Sequence, residues 1–441
     1  MYQKLFKPID NAPLILFRIF LGLLLFVECI GAILTGWVKE NFIRPQFTFS
    51  YIGLEWLQPL EGNGMYYYFI IMGLLGILVM IGYKYRLSLG LFILLWSGVY
   101  FMQKSSYNNH YYLLLLVCIV LFFLPANRFA SLDSKIDPKI KQYTMPQWCT
   151  LVMIVQVAIV YFFAAISKIY PDWLDGSFAK IMLENSAFYL PFKNIFSQHW
   201  FVLFIAYSGI AFDLLIVPFL LWQRTRTIAL IASLLFHLFN AVFLQIGIFP
   251  FFALTFVLFF YPPETIQKIF FKNKKTLENV PTIPLGKSVL LYFFVPYFML
   301  QLALPIRHFF IKGDVFWTEE GHRLGWRMML RLRTGEVNFK VIDKANGKDL
   351  SYDYQSKLTQ KQLLFVNSKP DGIWQMAQYI KNDFKKQGKS VAVYVDSKIA
   401  INNKSPKTFI DPKVDLAAAE WDYFFHNKWI LLYDENGLPT K

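Results

Sequence analysis

Long apolar runs dominate the first two thirds of the chain and predict helices that cross a membrane. A spanning helix needs about 20 residues, within a usual range of about 17–25. The pattern predicts nine spans, of which the third, fourth and eighth reach that range only if flanking aromatic residues are counted. The spans are residues 14–36, 66–83, 87–102, 111–125, 149–168, 200–222, 228–248, 249–261 and 288–305.

The seventh and eighth spans share only 34 residues, and the basic loops on either side of them must lie on the same side of the membrane. This segment must therefore cross and return, or form a deep re-entrant pair that turns near Gly247 and Pro250. Irregular backbone at membrane depth is tolerated only against protein or a watery cavity. We therefore expect an interior site near this segment.

After the last apolar run the pattern changes to that of a soluble α+β domain, residues 306–441. Hydrophobic and polar residues alternate around residues 326–342, and with a break at Arg333–Gly335 this pattern predicts a hairpin. Residues 372–387 have helical periodicity, and Ser390–Val395 reads as a strand. The fold class is thus a polytopic α-helical membrane protein of about nine spans, one pair of which either crosses or is re-entrant, followed by a C-terminal α+β domain.

Composition supports a membrane domain in residues 1–305. The whole chain is 56% hydrophobic and 17% charged, whereas soluble domains are about 25% charged. This excludes an ordinary soluble enzyme and a disordered chain, and three cysteines are too few for a disulfide scaffold. The net charge of +15 is therefore better explained by basic loops on one side of a membrane than by a nucleic-acid partner.

The basic residues also predict the orientation. With the N-terminus in the cytoplasm, the cytoplasmic loops hold 15 Lys and Arg and the outer loops hold 5, as the positive-inside rule requires. The C-terminal domain then lies on the outer face. Its 22 basic and 16 acidic residues leave a net charge of +6, which either is simply solvated or attracts an acidic partner.

Lys168 closes the fifth span in the string VYFFAAISKIYPDW. Lysines at span ends usually reach for the interface. Lys168, however, is at the outer end and is followed at once by aromatic residues and Pro171–Trp173, which suggest an ordered re-entry. Burial disfavours the charged ammonium, so a desolvated lysine is a usable general base.

The string KSSYNNH lies on the same outer face, between the third and fourth spans. Its last three residues, Asn108, Asn109 and His110, offer hydrogen-bond donors, acceptors and a titratable ring. Because Ser and Asn also favour helix caps, a helix-start loop is the alternative interpretation.

Other ionisable and polar residues lie inside the spans, where they are costly and usually functional. His237 and Asn240 are three residues apart and share one helix face. With Asp213 on the preceding span, they form either a structural hydrogen-bond network or a site. In the first span, Arg18 is close enough to the inner end to snorkel, and Glu28, which is deeper, is expected to pair.

Two strings just past the last span, LPIRHFF and GWRMML, add further candidates. Arg307 can form a bidentate pair with a carboxylate, and His308 adjoins it; an interfacial anchor is the alternative. Trp326, Met328 and Met329 begin the outer domain, where such residues are more often core than the wall of a cofactor site.

Lys168, His110, Arg307 and His308 thus all map to the outer face, beside span ends rich in aromatic residues. Such a place could admit an amphiphilic quinol from the lipid and a polar partner from the water.

Seven strings in this order carry a family resemblance: FRIFLGLL, KSSYNNHYYL, VYFFAAISKIYPDWLDG, LFHLFNAVFLQIGIFPF, LPIRHFF, GWRMML and FIDPKVDL. On these strings the chain resembles a vitamin K-dependent gamma-glutamyl carboxylase in its short bacterial form, whose membrane part is the HTTM domain. The resemblance covers nearly the whole chain.

The resemblance implies an enzyme that oxidises vitamin K hydroquinone with O2 to the epoxide and uses that energy to add CO2 to the γ-carbon of glutamate. The implied cofactor is reduced vitamin K, for which a bacterium could use a menaquinol. O2 and CO2 are co-substrates, and the partners are a Glu-containing peptide or protein and the lipid bilayer. Neither a nucleic acid nor a metal is expected, and the implied location is the bacterial cytoplasmic (inner) membrane, with the active site outside.

The resemblance also assigns roles. Lys168 matches the family's base, and Asn109 and His110 match positions that bind the glutamate end and assist carboxylation. His308 matches a family histidine. We expect substrate binding by Asn108, His237, Asn240, Arg307 and His308, and cofactor binding by Trp326, Met328 and Met329.

The chain departs from the animal enzymes in two places. Ser167 replaces the first of their two adjacent lysines, and the sequence stops at Lys441, before the long stretch that helps them hold a propeptide. The sequence therefore leaves open whether carboxylation is directed by a propeptide. The alternatives are a quinol epoxidase without protein carboxylation, a non-catalytic quinone- or lipid-binding protein, and an ion-coupled transporter built on Asp213 and His237.

Overall fold

The computed structural model describes residues 2–243, 247–274, 286–434 and 439–440. Its first part is almost entirely helical. The helices there are α1 Tyr2–Leu5, α2 Ala12–Leu34, α3 Gly64–Ile81, α4 Tyr85–Met102, α5 Asn109–Phe123, α6 Leu132–Ile136, α7 Trp148–Ser167, α8 Pro171–Leu174, α9 Ser177–Glu184, α10 Tyr189–Phe196, α11 His199–Leu221, α12 Arg226–Phe243, α13 Phe249–Thr255 and α14 Pro263–Phe270.

The second part contains the remaining α-helices and most of the strands. Its helices are α15 Lys287–Val289, α16 Val295–Ile306, α17 Val315–Thr318, α18 Gln360–Val366 and α19 Pro370–Lys386. The strands are β1 Pro8–Asp10, β2 Thr144–Pro146, β3 Arg333–Asp343, β4 Asp349–Leu350, β5 Val391–Ile401, β6 Lys407–Thr408, β7 Leu432–Tyr433 and β8 Pro439–Thr440.

Seven of the described helices are long and apolar enough to cross a membrane: α2, α3, α4, α7, α11, α12 and the run Lys287–Phe310 that contains α15 and α16. The polytopic fold class is therefore confirmed. The predicted fourth span is the shorter helix α5. The predicted eighth span, residues 249–261, corresponds to the helical run Phe249–Phe259, which is bent by 115° against α14 and forms with it either a broken span or a re-entrant loop.

The predicted turn between the seventh and eighth spans is partly described. Gly247 has a φ of +63°, a left-handed conformation that glycine adopts without strain. Pro250 lies in the first turn of α13, where its missing N–H costs nothing. Residues 244–246 of this predicted turn, and residues 275–285 of the predicted basic loop that follows, lie outside the described residues.

Close backbone packing joins α2 to α3. A Cβ on Gly22 would lie 2.4 Å from the backbone nitrogen of Met80, and one on Gly76 would lie 2.8 Å from that of Phe26. Small residues at such crossings let spanning helices approach closely. Any larger residue at either position would push the two helices apart.

The structure describes the surroundings of both charged residues of the first span. The expectation that Arg18 snorkels was wrong: it is fully buried and donates to the carbonyl oxygens of Ala126 at 3.1 Å and Ala130 at 2.6 Å. These carbonyls belong to the loop after α5, which covers the helix end. The side chain of Glu28 is half-buried near that of Tyr111, and its expected pairing stays a prediction.

The C-terminal domain is built on an antiparallel sheet of order β4-β3-β5-β6, and the register pairs Arg333 with Ile401 and Asp343 with Val391. The expected helix and strand are confirmed as α19 and β5. The hairpin break at Arg333–Gly335 was wrong, because β3 begins there and continues unbroken. A Cβ on Gly335 would lie 2.3 Å from the Ile399 side chain, so this glycine allows close packing inside a strand.

Buried charges attach this domain to one end of the helical bundle. Asp371 at the start of α19 lies 2.7 Å from Lys104, in the loop after α4, and 2.7 Å from Arg323. Burial lowers the pKa of Lys104 to about 8 against the opposing effect of Asp371. Burial alone would raise the pKa of Asp371, but Arg323 and Lys104 hold it well below its ordinary value.

Asp371→Asn is expected to lower the free energy of unfolding by about 3–5 kcal/mol, because it leaves Lys104 and Arg323 buried without their counter-ion. Denaturant unfolding in detergent measures the effect. The carboxylate's contribution is present above its ordinary pKa of about 3.9 and is lost as the pH falls below it. The difference between wild type and variant should therefore shrink below about pH 4.

Asp383→Asn is the matched control on the same helix. Asp383 pairs with Lys357 at 2.8 Å, but their side chains are 24% and 30% exposed, so its loss should cost no more than about 1 kcal/mol. Equal costs for the two variants would contradict a special role of Asp371 in docking the domain.

Candidate active site

Lys168 lies at the C-terminus of α7, and its side chain turns into the bundle. Its Nζ donates to Oδ2 of Asp213 on α11 at 2.5 Å and to the carbonyl oxygen of Ala164 at 3.3 Å. The ammonium lies 5.5 Å from the centre of the Trp173 ring. The chain turns sharply here because Pro171 starts α8 three residues later. Lys168 is therefore held inside the protein rather than reaching for the interface.

A cavity of about 710 Å³ begins at this pair and extends between α7, α11, α12 and α13. Its wall is mainly Phe, Ile, Leu and Ala, so the polar groups stand out. Six of the eleven residues predicted from the sequence line it. They are His110, Lys168, His237, Asn240, Met328 and Met329.

The rings of the two histidines both pack against Phe249. The His110 ring stacks on Phe249 with the ring centres 3.8 Å apart, and the His237 ring lies edge-on to it at 6.1 Å. The Nε2 of His237 is 3.0 Å from the hydroxyl oxygen of Tyr161. Of the two alternatives for Asp213, His237 and Asn240, a joint hydrogen-bond network is not what the structure has: Asp213 pairs with Lys168 and His237 with Tyr161, although all three residues line the same cavity.

The cavity opens on a surface that faces lipid in a spanning bundle. Ile228 and Leu235 of α12 line the cavity, yet each is 66% exposed. Phe204 and Phe219 of α11 likewise line the cavity and are exposed. An apolar molecule can therefore enter from the side, between α11 and α12, without crossing water.

The two asparagines before His110 are occupied by the protein itself. The carboxamide of Asn109 accepts from the Tyr107 hydroxyl at 2.9 Å and donates to the Arg327 carbonyl oxygen at 3.2 Å. Asn108 caps α5, accepting from the backbone N–H of Tyr111 at 2.7 Å. Neither residue lines the cavity, although both hold its neighbouring elements in place.

Three further predicted residues lie outside this cavity. Arg307 donates to the carbonyl oxygen of Arg323 at 2.6 Å. His308 lines a separate cavity on the other side of the end of α7. Trp326 is fully buried in the core, with its ring centre 4.9 Å from that of Tyr112.

Sequence reasoning missed three partners at the site. Asp213 was identified, but as a neighbour of His237 rather than as the counter-ion of Lys168. Tyr161 and Arg327 were not singled out. A tyrosine in an aromatic-rich span carries no distinguishing signal, and the role of Arg327 depends on how its backbone is turned.

Comparison with known families agrees with this architecture. Residues 6–264 match the HTTM domain, which is more than half of the chain, and residues 286–436 match the vitamin K-dependent gamma-carboxylase, lumenal domain. The chain belongs to the vitamin K-dependent gamma-carboxylase family. No solved structure gives a significant match to it.

The two family matches also show which part of the chain forms each side of the cavity. In this carboxylase-family protein the lumenal-domain match includes the last spanning helix, Lys287–Phe310. The cavity belongs mainly to the HTTM domain, and Met328 and Met329 reach it from the lumenal-domain match. The candidate site is therefore formed by both parts of the chain.

A quinone that fills the cavity should protect Lys168 from an amine-reactive reagent, because the Nζ lies on the cavity wall. We expect vitamin K1 in detergent to reduce the labelling of Lys168 severalfold in peptide mapping. Lys180 on α9, whose side chain is 57% exposed, should be labelled equally with and without the quinone. Unchanged labelling of Lys168 would place the quinone elsewhere.

Proposed function

We propose that this protein is a membrane-bound gamma-glutamyl carboxylase that depends on vitamin K hydroquinone and couples oxidation of the quinol to carboxylation of glutamate. The observation that carries the proposal is the buried Lys168–Asp213 pair on the wall of a lipid-facing apolar cavity. The family membership supports the same chemistry, and the orientation expected from the sequence would put the site at the outer face of a bacterial cytoplasmic membrane.

The cavity fits a quinol with an apolar tail. Its volume of about 710 Å³ falls within the range of about 300–1,000 Å³ that is usual for small-molecule sites. An apolar wall with a few convergent polar groups is also usual there. When bound, reduced vitamin K supplies with O2 the strong base that removes a γ-hydrogen of glutamate, which no amino-acid side chain can remove.

Lys168 and Asp213 are suited to take a proton from a quinol hydroxyl. The two side chains form a neutral unit at 2.5 Å, and an added proton can reside on the carboxylate or on the amine. In either case a positive ammonium remains beside the oxygen that lost the proton. A fixed charge in a site poor in water stabilises a developing oxyanion strongly.

The other polar groups are suited to hold the reacting ends in place. His110 lies on the cavity wall against Phe249, where its ring can assist the carboxylation step. The aromatic wall excludes water, and a dry site protects a strong base from being quenched. Met328 and Met329 supply flexible, polarisable surface that adapts to an apolar ligand.

One observation favours a second candidate, a quinol epoxidase without protein carboxylation. Both polar groups of Asn109 are already bonded to Tyr107 and Arg327, so this residue has no free group for a glutamyl substrate in the described arrangement. The two functions differ only in the fate of CO2, and one assay separates them.

The purified protein with reduced vitamin K, O2, labelled bicarbonate and a Glu-containing peptide should form both the epoxide and labelled peptide. Lys168→Ala should abolish epoxide formation, whereas Lys180→Ala on the exposed face of α9 should leave it unchanged. Epoxide without labelled peptide would support the epoxidase alternative. Wild-type epoxidation by Lys168→Ala would remove Lys168 as the base.

Asp213→Asn should lower kcat for epoxidation by about 10²-fold, the lower part of the usual contribution of a positioned acid or base. The matched control is Asp10→Asn, which breaks another buried Lys–Asp pair, with Lys274. That pair lies next to β2, at the opposite end of α7, about 30 Å away by the rise of an α-helix.

Both variants lose a buried counter-ion, so both should unfold more readily. Only Asp213→Asn should lose epoxidation per folded molecule. Equal losses of activity in the two variants would mean that Asp213 acts through stability alone.

A further inference from the structure

A second cavity, of about 530 Å³, adjoins the first at the end of α7. Its lining includes Ser167, Tyr170, His308, Phe316 and Arg327. Unlike the first cavity, it contains the guanidinium of an arginine. Nothing in the proposed quinol chemistry uses this space.

The two cavities share two walls. At the end of α7, Ser167 lines the second cavity and Lys168 lines the first. In the segment that begins the outer domain, Arg327 lines the second cavity, whereas Met328 and Met329 line the first. Adjacent residues of each wall therefore contribute to different cavities.

The wall that carries Arg327 has an unusual backbone. Leu324, Trp326 and Met329 have φ angles of +61°, +58° and +49°, and each left-handed non-glycine residue costs about 1–3 kcal/mol. Hydrogen bonds hold the segment there, from the Leu324 N–H to the Tyr107 hydroxyl at 2.8 Å and from Asn109 to the Arg327 carbonyl oxygen at 3.2 Å. Such strain is typical of functional segments.

Arg327 differs from its neighbours in charge pairing. Arg323 is paired with Asp371 at 2.7 Å and Arg331 with Glu319 at 2.5 Å. Within the described part of the chain, Arg327 has no carboxylate at ion-pair distance, and its Nε has no hydrogen-bond partner. Burial and the nearby Arg331 lower the pKa of Arg327 to about 10, so it is still charged at neutral pH.

Two neighbouring side chains, Phe316 and His308, hold the guanidinium of Arg327 in position. Its central carbon lies 4.5 Å from the centre of the Phe316 ring, a stacking geometry that arginine favours. His308 Nδ1 lies 2.9 Å from the Pro305 carbonyl oxygen, so this nitrogen donates. The other nitrogen, Nε2, can then accept from Arg327, whose NH1 lies 3.5 Å away. Asp314 also lines the cavity, but its carboxylate caps α17.

We propose that the second cavity binds a small carboxylate-type anion, with Arg327 as its counter-ion and His308 as the residue that positions Arg327. A planar O–C–O anion matches the guanidinium fork. It comes either from a glutamyl side chain or from bicarbonate. The proposal deepens the proposed function by naming where the anionic substrate is held, a role that the sequence assigned to Arg307.

Binding measured without turnover tests the proposal apart from catalysis. Titration calorimetry with a short peptide that contains one Glu, and with the same peptide carrying Gln, should show at least about tenfold tighter binding of the Glu peptide, or about 1.4 kcal/mol. Arg327→Gln should abolish this preference, and Arg327→Lys should retain part of it. The control is Arg86→Gln. Arg86 is exposed near the start of α4, at the other end of that helix from Lys104, so this variant should keep the preference for the Glu peptide.

Two KM values identify the source of the anion. If Arg327→Gln raises only the KM for the Glu peptide, the ligand is the glutamyl side chain; if it raises only the KM for bicarbonate, the ligand is bicarbonate. Unchanged binding preference together with unchanged KM for both would overturn the proposal. A wild type that prefers the Glu peptide but incorporates no label would refute the proposed carboxylation and leave the anion site standing.

A measurement on the unaltered protein covers the case in which the Arg327 variants do not fold. An arginine-directed reagent should modify Arg327 more slowly in the presence of the Glu peptide or of bicarbonate. The Gln peptide and chloride at equal concentration should give no such protection. Equal modification of Arg327 under all four conditions would overturn the proposal.

Discussion

The buried pair of Lys168 and Asp213 is the interaction on which the rest of the site depends. Removing two opposite charges from water costs several kcal/mol per ion, and close geometry recovers that cost only when both partners are held. The pair therefore requires α7 to end where it does and α11 to lie against it. The same two helices form walls of the apolar cavity, so the pair and the space proposed for a quinol arise from one packing arrangement.

The C-terminal domain completes this arrangement through polar contacts as well as apolar ones. Asp172, four residues after Lys168, accepts hydrogen bonds from Asn402 at 2.8 Å and Lys404 at 2.7 Å. The Tyr170 hydroxyl donates to the Leu330 carbonyl oxygen. These contacts hold the turn after α7 against the C-terminal domain. The position of Lys168 is therefore set by the domain as well as by the bundle.

The sequence predicts what depends on short-range pattern. Hydrophobic length locates the spanning helices, and an expensive polar residue at a span end identifies Lys168. Pattern cannot report which residue lies opposite, so it grouped Asp213 with His237 and Asn240 and did not show that Asp213 pairs with Lys168. The pattern also cannot distinguish a glycine at a chain turn from a glycine that lets a neighbouring side chain pack closely. Gly335 in β3 is of the second kind. Arg327 escaped notice because its direction depends on strained backbone on either side of it.

The proposed function makes two demands that the two adjoining cavities would meet better than one space could. A strong base survives only where water is excluded and the walls are apolar, whereas an anionic substrate must keep a counter-charge once it leaves water. A single cavity with an unpaired guanidinium would be too wet for the first task, and a purely apolar one would reject the second ligand. A thin wall whose adjacent residues face opposite sides separates the two environments. Ser167 and Lys168, and likewise Arg327 and Met328, are sequence neighbours that line different cavities, so the two proposed ligands would lie side by side.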